Sequence, residues 1–448
     1  MDDSFRQFTA NLAETLARGT WSLDELLKRA DQSLTETSSR AWIIRLTERT
    51  MVAFPGRQSP QHCLLMQFLA HDRGLRRVWN NCERDERPFP EIDLTKLVPP
   101  VMQPASEVIA AWPVRPLVTI QDVSQWLGLT LGELDWFADR TRRKSRVPEG
   151  PLRHYRYRWI AKSSGGQRLL EIPKPRLKEL QRKILAEILD AIPPHPAAHA
   201  FRRGRSVRGY VTPHVGQQVV LHIDLREFFP SIRASQIHAL YRTVGYPERV
   251  AAMLTGLCTH ITPRDAIPLN GEQQASNSNW KRLGSPHLPQ GAPTSPALAN
   301  LVAFRLDCRL AGLSQKVEAV YTRYADDLLF SGGKELARCA SRFRLLVTAI
   351  AHHEGFEIRA RKSRTMHSGT RQQVAGIVLN RQPNIPREEY DALRATLYNC
   401  QRHGPTTQNV NQHPHFRDHL LGKINYWSNI CPERSRKLRL LFDQIVWP

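Results

Sequence analysis

Acid is the scarce charge in this chain. Its 42 Asp and Glu stand against 64 Lys and Arg, for a formal net charge of +22 and a pI near 10.2. That imbalance excludes an acidic solvating protein and makes nucleic acid the first partner to consider. Cysteine is sparse and unpaired. The seven (Cys63, Cys82, Cys258, Cys308, Cys339, Cys400, Cys431) are odd in number and form no CxxC pair. This excludes a disulfide scaffold and a zinc ribbon, and predicts reduced thiols in a cytoplasmic protein. No apolar run approaches the roughly 20 residues of a membrane span. The opening "MDDSFRQFTANLAETLARG" is polar and acidic at its start, unlike a secretory signal. The expectation is a soluble chain without a membrane partner. Apolar residues are not lacking: at 41% of 448 residues they predict a folded protein of about two to four domains or subdomains.

Residues 1 to about 90 read as helical. "SLDELLKRADQSL" opens on Ser22 with Glu25 at capping-box spacing, and "QHCLLMQFLAHDRGLRRVW" repeats its apolar residues at helical intervals. From Pro88 to about Pro116 the chain turns proline-rich, as in "LVPPVMQP", and reads as a linker. "VTIQDVSQWLGLTLGELDWFADRTRRK" holds two short amphipathic segments broken at Gly128, better read as packing helices than as a DNA-binding helix-turn-helix. Then the texture changes. "HYRYRWIAKSSGGQRLLEIP" alternates around a Ser-Gly-Gly turn, a β-hairpin. "PKPRLKELQRKILAEILDAI" is a basic helix, "QQVVLHIDLREFF" a strand, "SPALANLVAFRLDCRLAGL" a helix. "NGEQQASNSNWKRLGSPH" reads as a surface loop. "ELARCASRFRLLVTAIAHHEG" is a helix, "FEIRARKSRTMHSGTRQQVAGIVLN" holds two or three strands, and the tail from Pro386 is helical and basic. Helix and strand alternate without a regular βαβ period, which predicts an α+β fold. There is no internal repeat.

Within "YTRYADDLLFSGG" two aspartates, Asp326 and Asp327, sit where one β-run turns into the next. Asp224 ends the apolar run "VVLHID". If those strands lie side by side, three carboxylates converge and repel one another unless cations bind. Hard oxygen ligands suit Mg²⁺, and two such ions activate a hydroxyl and stabilise a leaving pyrophosphate. Singly, each aspartate is an ordinary turn or cap residue. Together they point to nucleotidyl transfer.

"YADD", "HIDLREFF" and "LPQGAPTSPALANL", in that order, resemble the palm of reverse transcriptases. "GGQRLLEIPKPRLKELQRKIL" resembles the fingers of bacterial members. "HPAAHAFRRGRSVRGYVTPHV" and "RQQVAGIVLN" resemble the retron branch. The resemblance covers about residues 115 to 448. It implies a right-hand polymerase with an N-terminal helical region: a helical extension and proline-rich linker at 1–115, a helical lead-in and fingers at 116–219, a palm at 220–385 with an inserted fingers and loop segment at 233–285, and a basic helical thumb at 386–448.

The resemblance also assigns roles. Asp224, Asp326 and Asp327 match the metal-binding aspartates, with Leu225 lending a backbone carbonyl to two Mg²⁺ ions. Phe229 matches the gate against a ribose 2′-OH, and one of Phe228 and Phe229 is core. Gln290 and Gly291 match the loop along the incoming nucleotide. Arg168 matches the finger residue on the triphosphate, where a guanidinium suits bidentate binding; by itself it reads as a solvated hairpin charge. Lys362 matches a basic residue that assists pyrophosphate departure, and reads equally as a solvated charge. Tyr324 would pack near the primer terminus, although a lone tyrosine there reads as core. His214 matches the histidine of the retron signature. Arg203, Arg205, Lys423, Tyr426 and Arg436 complete the expected nucleic-acid contacts. Two departures stand out. Tyr210-Val211 replaces the usual Asn-Ala, and Val374-Ala375-Gly376 replaces Val-Thr-Gly.

Membership of that branch implies copying of a cognate structured non-coding RNA from dNTPs. Priming would come from an internal 2′-OH, and the branched DNA product would stay bound. It further implies a role in anti-phage defence, commonly with a separate effector protein. Another bacterial reverse transcriptase, group II intron-like or abortive-infection type, is the alternative enzyme. The absence of a Cys/His cluster after the thumb argues against the intron type. A non-catalytic RNA-binding scaffold is the alternative of another class, and the three retained aspartates argue against it. Residues 1–115 leave RNA, protein and DNA open as partners.

Overall fold

The structure is a computed structural model. It describes residues 3–17, 21–35, 41–55, 60, 62–89, 91–92, 101–140, 147–161, 167–267 and 281–447. The Ser-Gly-Gly turn, most of the loop at 270–287, part of the proline-rich linker and the basic exit after Arg140 lie outside these. The chain divides into two compact units. The first is Met1–Ile192 with Arg233–Gly271 and Gly284–Pro286; the second is Pro193–Ile232 with Glu272–Leu283 and His287–Pro448. Among the described residues no helix is long and apolar enough to cross a membrane.

The first unit begins with α1 (Asp3–Ala17), α2 (Leu23–Ser33), α3 (Ala41–Ala53), α4 (His62–His71) and α5 (Arg73–Arg84). Their apolar faces share one core, including Phe5, Phe8, Leu12, Leu26, Leu46 and Leu69. Ser22 is the N-cap of α2 as expected, but its side chain makes no capping bond. The stretch read as one helical repeat around residues 61–79 breaks at Asp72. That carboxylate caps α5 by accepting from Leu75 N at 2.7 Å and is clamped by Arg49 at 2.7 and 2.8 Å. Capping a new helix and pairing the buried carboxylate with Arg49 outweigh one continued turn.

α6 (Ile120–Leu127) and α7 (Leu131–Ala138) each begin with a complete capping box, Thr119 with Asp122 and Thr130 with Glu133. Gly128 closes α6 at φ 65. A hairpin follows, β1 (Tyr155–Ala161) with β2 (Gln167–Pro173), in register from Tyr155↔Pro173 to Ala161↔Gln167. Next come α8 (Pro175–Glu187), α9 (Ala234–Val244) and α10 (Glu248–Cys258). α7 and α10 pack as ordinary neighbours. A Cβ on Gly256 would stand 2.2 Å from the Ala138 carbonyl, so only glycine allows that approach.

The second unit is built on β3 (Val219–Arg226), which is buried on both faces and therefore central. β4 (Val320–Tyr324) and β5 (Asp327–Gly332) form a hairpin beside it. β6 (Glu357–Ile358) and β7 (Arg364–His367) pair with its other edge, giving the order β4-β5-β3-β6 with β7 also on β3. β8 (Gln373–Val374) and β9 (Ile377–Val378) form a separate small hairpin. Its two-residue turn has both residues at positive φ, Ala375 at 49 and Gly376 at 79, a primed turn for which glycine is suited.

α11 (Ser295–Val302), α12 (Phe304–Gln315) and α13 (Lys334–His353) follow in sequence around the β4–β5 hairpin. Phe330 of β5 meets Phe343 of α13 edge-on at 5.2 Å. α14 (Arg387–His403), α15 (Phe416–Ser428) and α16 (Pro432–Asp443) enclose their own core, including Leu397, Leu420, Ile424, Leu438 and Phe442.

Candidate active site

Strand register brings the predicted acids together. β3 runs antiparallel to β5, with Asp224 directly opposite Asp327. Paired residues of neighbouring strands share a face, so the two carboxylates project on the same side. Tyr324 of β4 stands opposite Asp327, which makes Ala325-Asp326 a two-residue turn. Ala325 adopts φ 55, a strained conformation for a residue with a Cβ. Asp326 fixes the turn to the central strand through its carbonyl, which accepts from Leu225 N at 2.9 Å. The Asp224 carbonyl in turn accepts from Arg359 N at 2.8 Å.

The electrostatics are uneven. Asp224 is buried, at 6% exposure, and its Oδ1 has no hydrogen-bond partner. Arg359 Nε lies 3.5 Å away, at ion-pair range. Burial pushes the Asp224 carboxyl above the usual range. Arg359 and Lys362 pull it down, and the neighbouring Asp327 pushes it up. Asp327 Oδ1 lies 2.8 Å from His222 Nε2. Asp326 is half-exposed. A buried oxygen without a hydrogen bond, opposite a second carboxylate, fits a hard cation. Among the described residues no three His, Cys, Asp or Glu side chains close on one point as a metal cage. Mg²⁺ asks for less, one or two carboxylates completed by water and phosphate oxygens.

The opposite face of the hairpin holds a polar network that sequence reading missed. Arg323 and Asp307 of α12 are both fully buried. Their two parallel bonds measure 2.8 and 2.7 Å. Arg323 Nη1 also donates to Asn300 Oδ1 at 3.0 Å and to the Ala325 carbonyl at 3.2 Å. Tyr321 Oη donates to Asp307 Oδ1 at 2.7 Å. A guanidinium thus holds the strained turn peptide from behind.

Other predicted residues are placed as follows. Leu225 is buried on β3. Phe228 is the core member of its pair, while Phe229 is half-buried, its ring 5.7 Å from Phe228 and 6.2 Å from Phe201. Gln290 is half-buried and Gly291 exposed at φ 134, in the turn before α11. Lys362 lies close enough to lower the Asp224 pKa. Arg168 is exposed on β2 of the first unit, opposite Ile160. Arg203, Arg205, Lys423, Tyr426 and Arg436 are exposed. Tyr324 is half-buried, its ring 5.5 Å from that of Tyr210.

His214 is a correction. It was expected at a nucleic-acid surface, yet it is fully buried. Its Nδ1 bonds Ser331 Oγ at 2.7 Å and its Nε2 bonds Thr322 Oγ1 at 2.8 Å, so the ring ties the two hairpin strands together. The two departures from the retron signature also meet. Tyr210, Val211 and Val374 belong to one core cluster with Val220 and Leu329. Of the residues missed, Arg359 carries a signal in the basic run "RARKSR". His222 and Arg323 carry none, because each sits inside an apolar strand pattern.

The family profile described as "Reverse transcriptase (RNA-dependent DNA polymerase)" matches residues 160–400. The chain is similar to the Retron Mx65 reverse transcriptase of Myxococcus xanthus, 38% identical over 346 residues, covering 77% of this chain and 75% of that protein. It is similar also to the Retron Mx162 reverse transcriptase of the same organism, at 34% over 307 residues (64% and 60% covered). To the Retron Ec86 reverse transcriptase of Escherichia coli it is 33% identical over 249 residues (54% and 69% covered).

Proposed function

We propose that this chain, which belongs to the reverse transcriptases and within them to the retron type, copies part of a cognate structured RNA into a DNA that stays joined to it. The chain is an RNA-directed DNA polymerase. The reading of its chemistry rests on one observation, the buried Asp224 carboxylate directly opposite Asp327, whose Oδ1 has no hydrogen bond and only a 3.5 Å ion pair with Arg359.

In this reading Asp224, Asp326, Asp327 and the Leu225 carbonyl hold two Mg²⁺ ions. Such ions, when bound, make the primer hydroxyl a better nucleophile and neutralise the departing pyrophosphate. Arg323 keeps the Ala325–Asp327 peptide in one conformation, so the acids need no rearrangement during reaction. Phe229 excludes a ribose 2′-OH, Gln290 and Gly291 line the nucleotide, Arg168 grips the triphosphate, and Lys362 eases pyrophosphate departure. Tyr324 supports the primer end. Arg203, Arg205, Lys423, Tyr426 and Arg436 meet the RNA, whose A-form backbone and 2′-OH groups suit basic and polar side chains. A helical lead-in and the fingers would occupy 116–219 with part of 233–285, the palm the rest of 220–385, and the thumb 386–448. A branched RNA–DNA product, priming from an internal 2′-OH, an anti-phage role and a separate effector protein complete the proposal.

Purification from cells carrying the native genomic neighbourhood, followed by sequencing of the nucleic acid that accompanies the protein, tests it. One small DNA joined to one structured RNA supports the retron product. RNA alone, with synthesis on an added primer, would move the enzyme to another branch of the family. The double substitution Asp326→Asn with Asp327→Asn should abolish synthesis while leaving RNA affinity within about threefold, because neither carboxylate contributes attraction to a polyanion. Loss of RNA binding in that variant would make the pair structural.

A further inference from the structure

Phe201 breaks two ordinary rules at once. Its side chain is 51% exposed, and its backbone sits at φ 58, where a bulky L-residue is an outlier. Such strain persists only where the surroundings over-determine it, and here they do. Arg323 N donates to the Ala197 carbonyl at 2.7 Å, and His199 N donates to the Arg323 carbonyl at 2.8 Å. Asn300 Nδ2 donates to the Ala200 carbonyl at 2.8 Å. Arg202 Nη1 donates to the carbonyls of His195 and Ala198 at 3.1 and 3.0 Å. The peptide leading to Phe201 is therefore strapped to the Arg323 backbone and the Asn300 side chain; the Arg323 guanidinium bonds that Asn300 side chain and also holds the Ala325 carbonyl of the turn.

The strap delivers one contact. The Phe201 ring lies 6.2 Å from Phe229 at 52°. On its other side Phe229 meets Phe228 at 5.7 Å and 62°, and Phe228 is core. Phe229 is thus braced between a buried ring and an exposed one. A side chain that discriminates by excluding one oxygen atom must not yield, and a half-buried phenylalanine without a second wall would turn aside.

We propose that Phe201 is a specificity-determining residue: it braces Phe229, so the choice of deoxyribonucleotide over ribonucleotide is made by the pair. The proposal rests on the reading of Phe229 as the gate. The test is single-nucleotide incorporation by the full chain on a primed RNA template, taking the ratio of kcat/KM for dGTP to that for GTP. Phe229→Ala should lower the ratio. Phe201→Ala should lower it by about tenfold, mainly by easier use of GTP, and Phe201→Tyr should keep it. The double variant should be no lower than Phe229→Ala alone, since contacting residues acting as one unit are not additive. Phe201→Gly, free of backbone strain at positive φ, should match Phe201→Ala and so separates loss of the ring from misfolding. If Phe229→Ala lowers the ratio while Phe201→Ala and Phe201→Gly leave it within about twofold, or if the two effects add, the bracing role is wrong. If Phe229→Ala leaves the ratio unchanged, the gate reading itself falls and the proposal falls with it.

Discussion

The two faces of the β4–β5 hairpin treat a buried acid in opposite ways. Behind it, Asp307 has both oxygens taken by Arg323 and a further bond from Tyr321. In front, Asp224 is almost as deeply buried, yet its Oδ1 has no hydrogen bond and only a 3.5 Å ion pair with Arg359. Burial alone therefore does not distinguish the two carboxylates; the hydrogen bonds each receives do. The acid with every oxygen hydrogen-bonded holds the turn through Arg323, and the one with an open hydrogen-bonding position is the one proposed above to hold a cation.

The largest expected effect breaks the rear pair. Asp307→Asn should cost about 3–5 kcal/mol, because it strands the Arg323 charge in the core. The joint change Arg323→Met with Asp307→Leu should recover most of that stability while synthesis stays low, since nothing then holds the Ala325 carbonyl. Urea denaturation of the three proteins measures this. An equally severe loss in the joint variant would show that packing, not charge, dominates.

The next effect is on the front face and depends on pH. Burial holds His214 down to about 3 and His199 to about 4. Both stay neutral in the folded chain and take up a proton on unfolding below the ordinary histidine pKa of about 6.5. The unfolded state then binds more protons, so stability falls as pH falls. The slope reaches about 1.4 kcal/mol per pH unit for each histidine, beginning near pH 6.5 and flattening near the folded values. His214→Asn should remove one histidine's share of that slope in denaturation series from pH 7 to 4.5. An unchanged slope would mean that other groups cause it.

The smallest effect has the opposite sign. Asp224 carries a raised pKa, so its charged form opposes folding at neutral pH. Asp224→Asn should raise stability in metal-free buffer by on the order of 1 kcal/mol and abolish synthesis. A destabilised Asp224→Asn would erase the contrast between the faces.

Much of this was readable in the residues. Alternation in "AVYTRYADDLLFSG" gives a strand, a turn and a strand, and the apolar run before Asp224 gives a central strand. Their pairing then puts acid opposite acid. The break at Gly128 follows from a residue able to adopt φ 65. What stayed hidden depends on partners far away in sequence. Arg323 carries no sign of its role within its own strand; α12 brings Asp307 against it. His214 matches a signature histidine by resemblance, but its tie between Thr322 and Ser331 through both ring nitrogens shows only in three dimensions. Phe201 carries no signal of its own, because backbone strain leaves no mark in composition. Local pattern determines strands and turns, whereas the partner of a buried polar group depends on three-dimensional pairing.

The pairing of β3 has a consequence for synthesis of the protein itself. His222 and Asp327 are separated by 105 residues, and both neighbours of β3 lie later in the chain. At about 5–20 residues per second, the run Val219–Ile223 leaves the ribosome about 5–20 s before its first partner strand exists. For that interval the central strand of the sheet is an apolar segment with two bare edges, the kind that aggregates. The yield of active enzyme should therefore be governed by what shields that segment during translation.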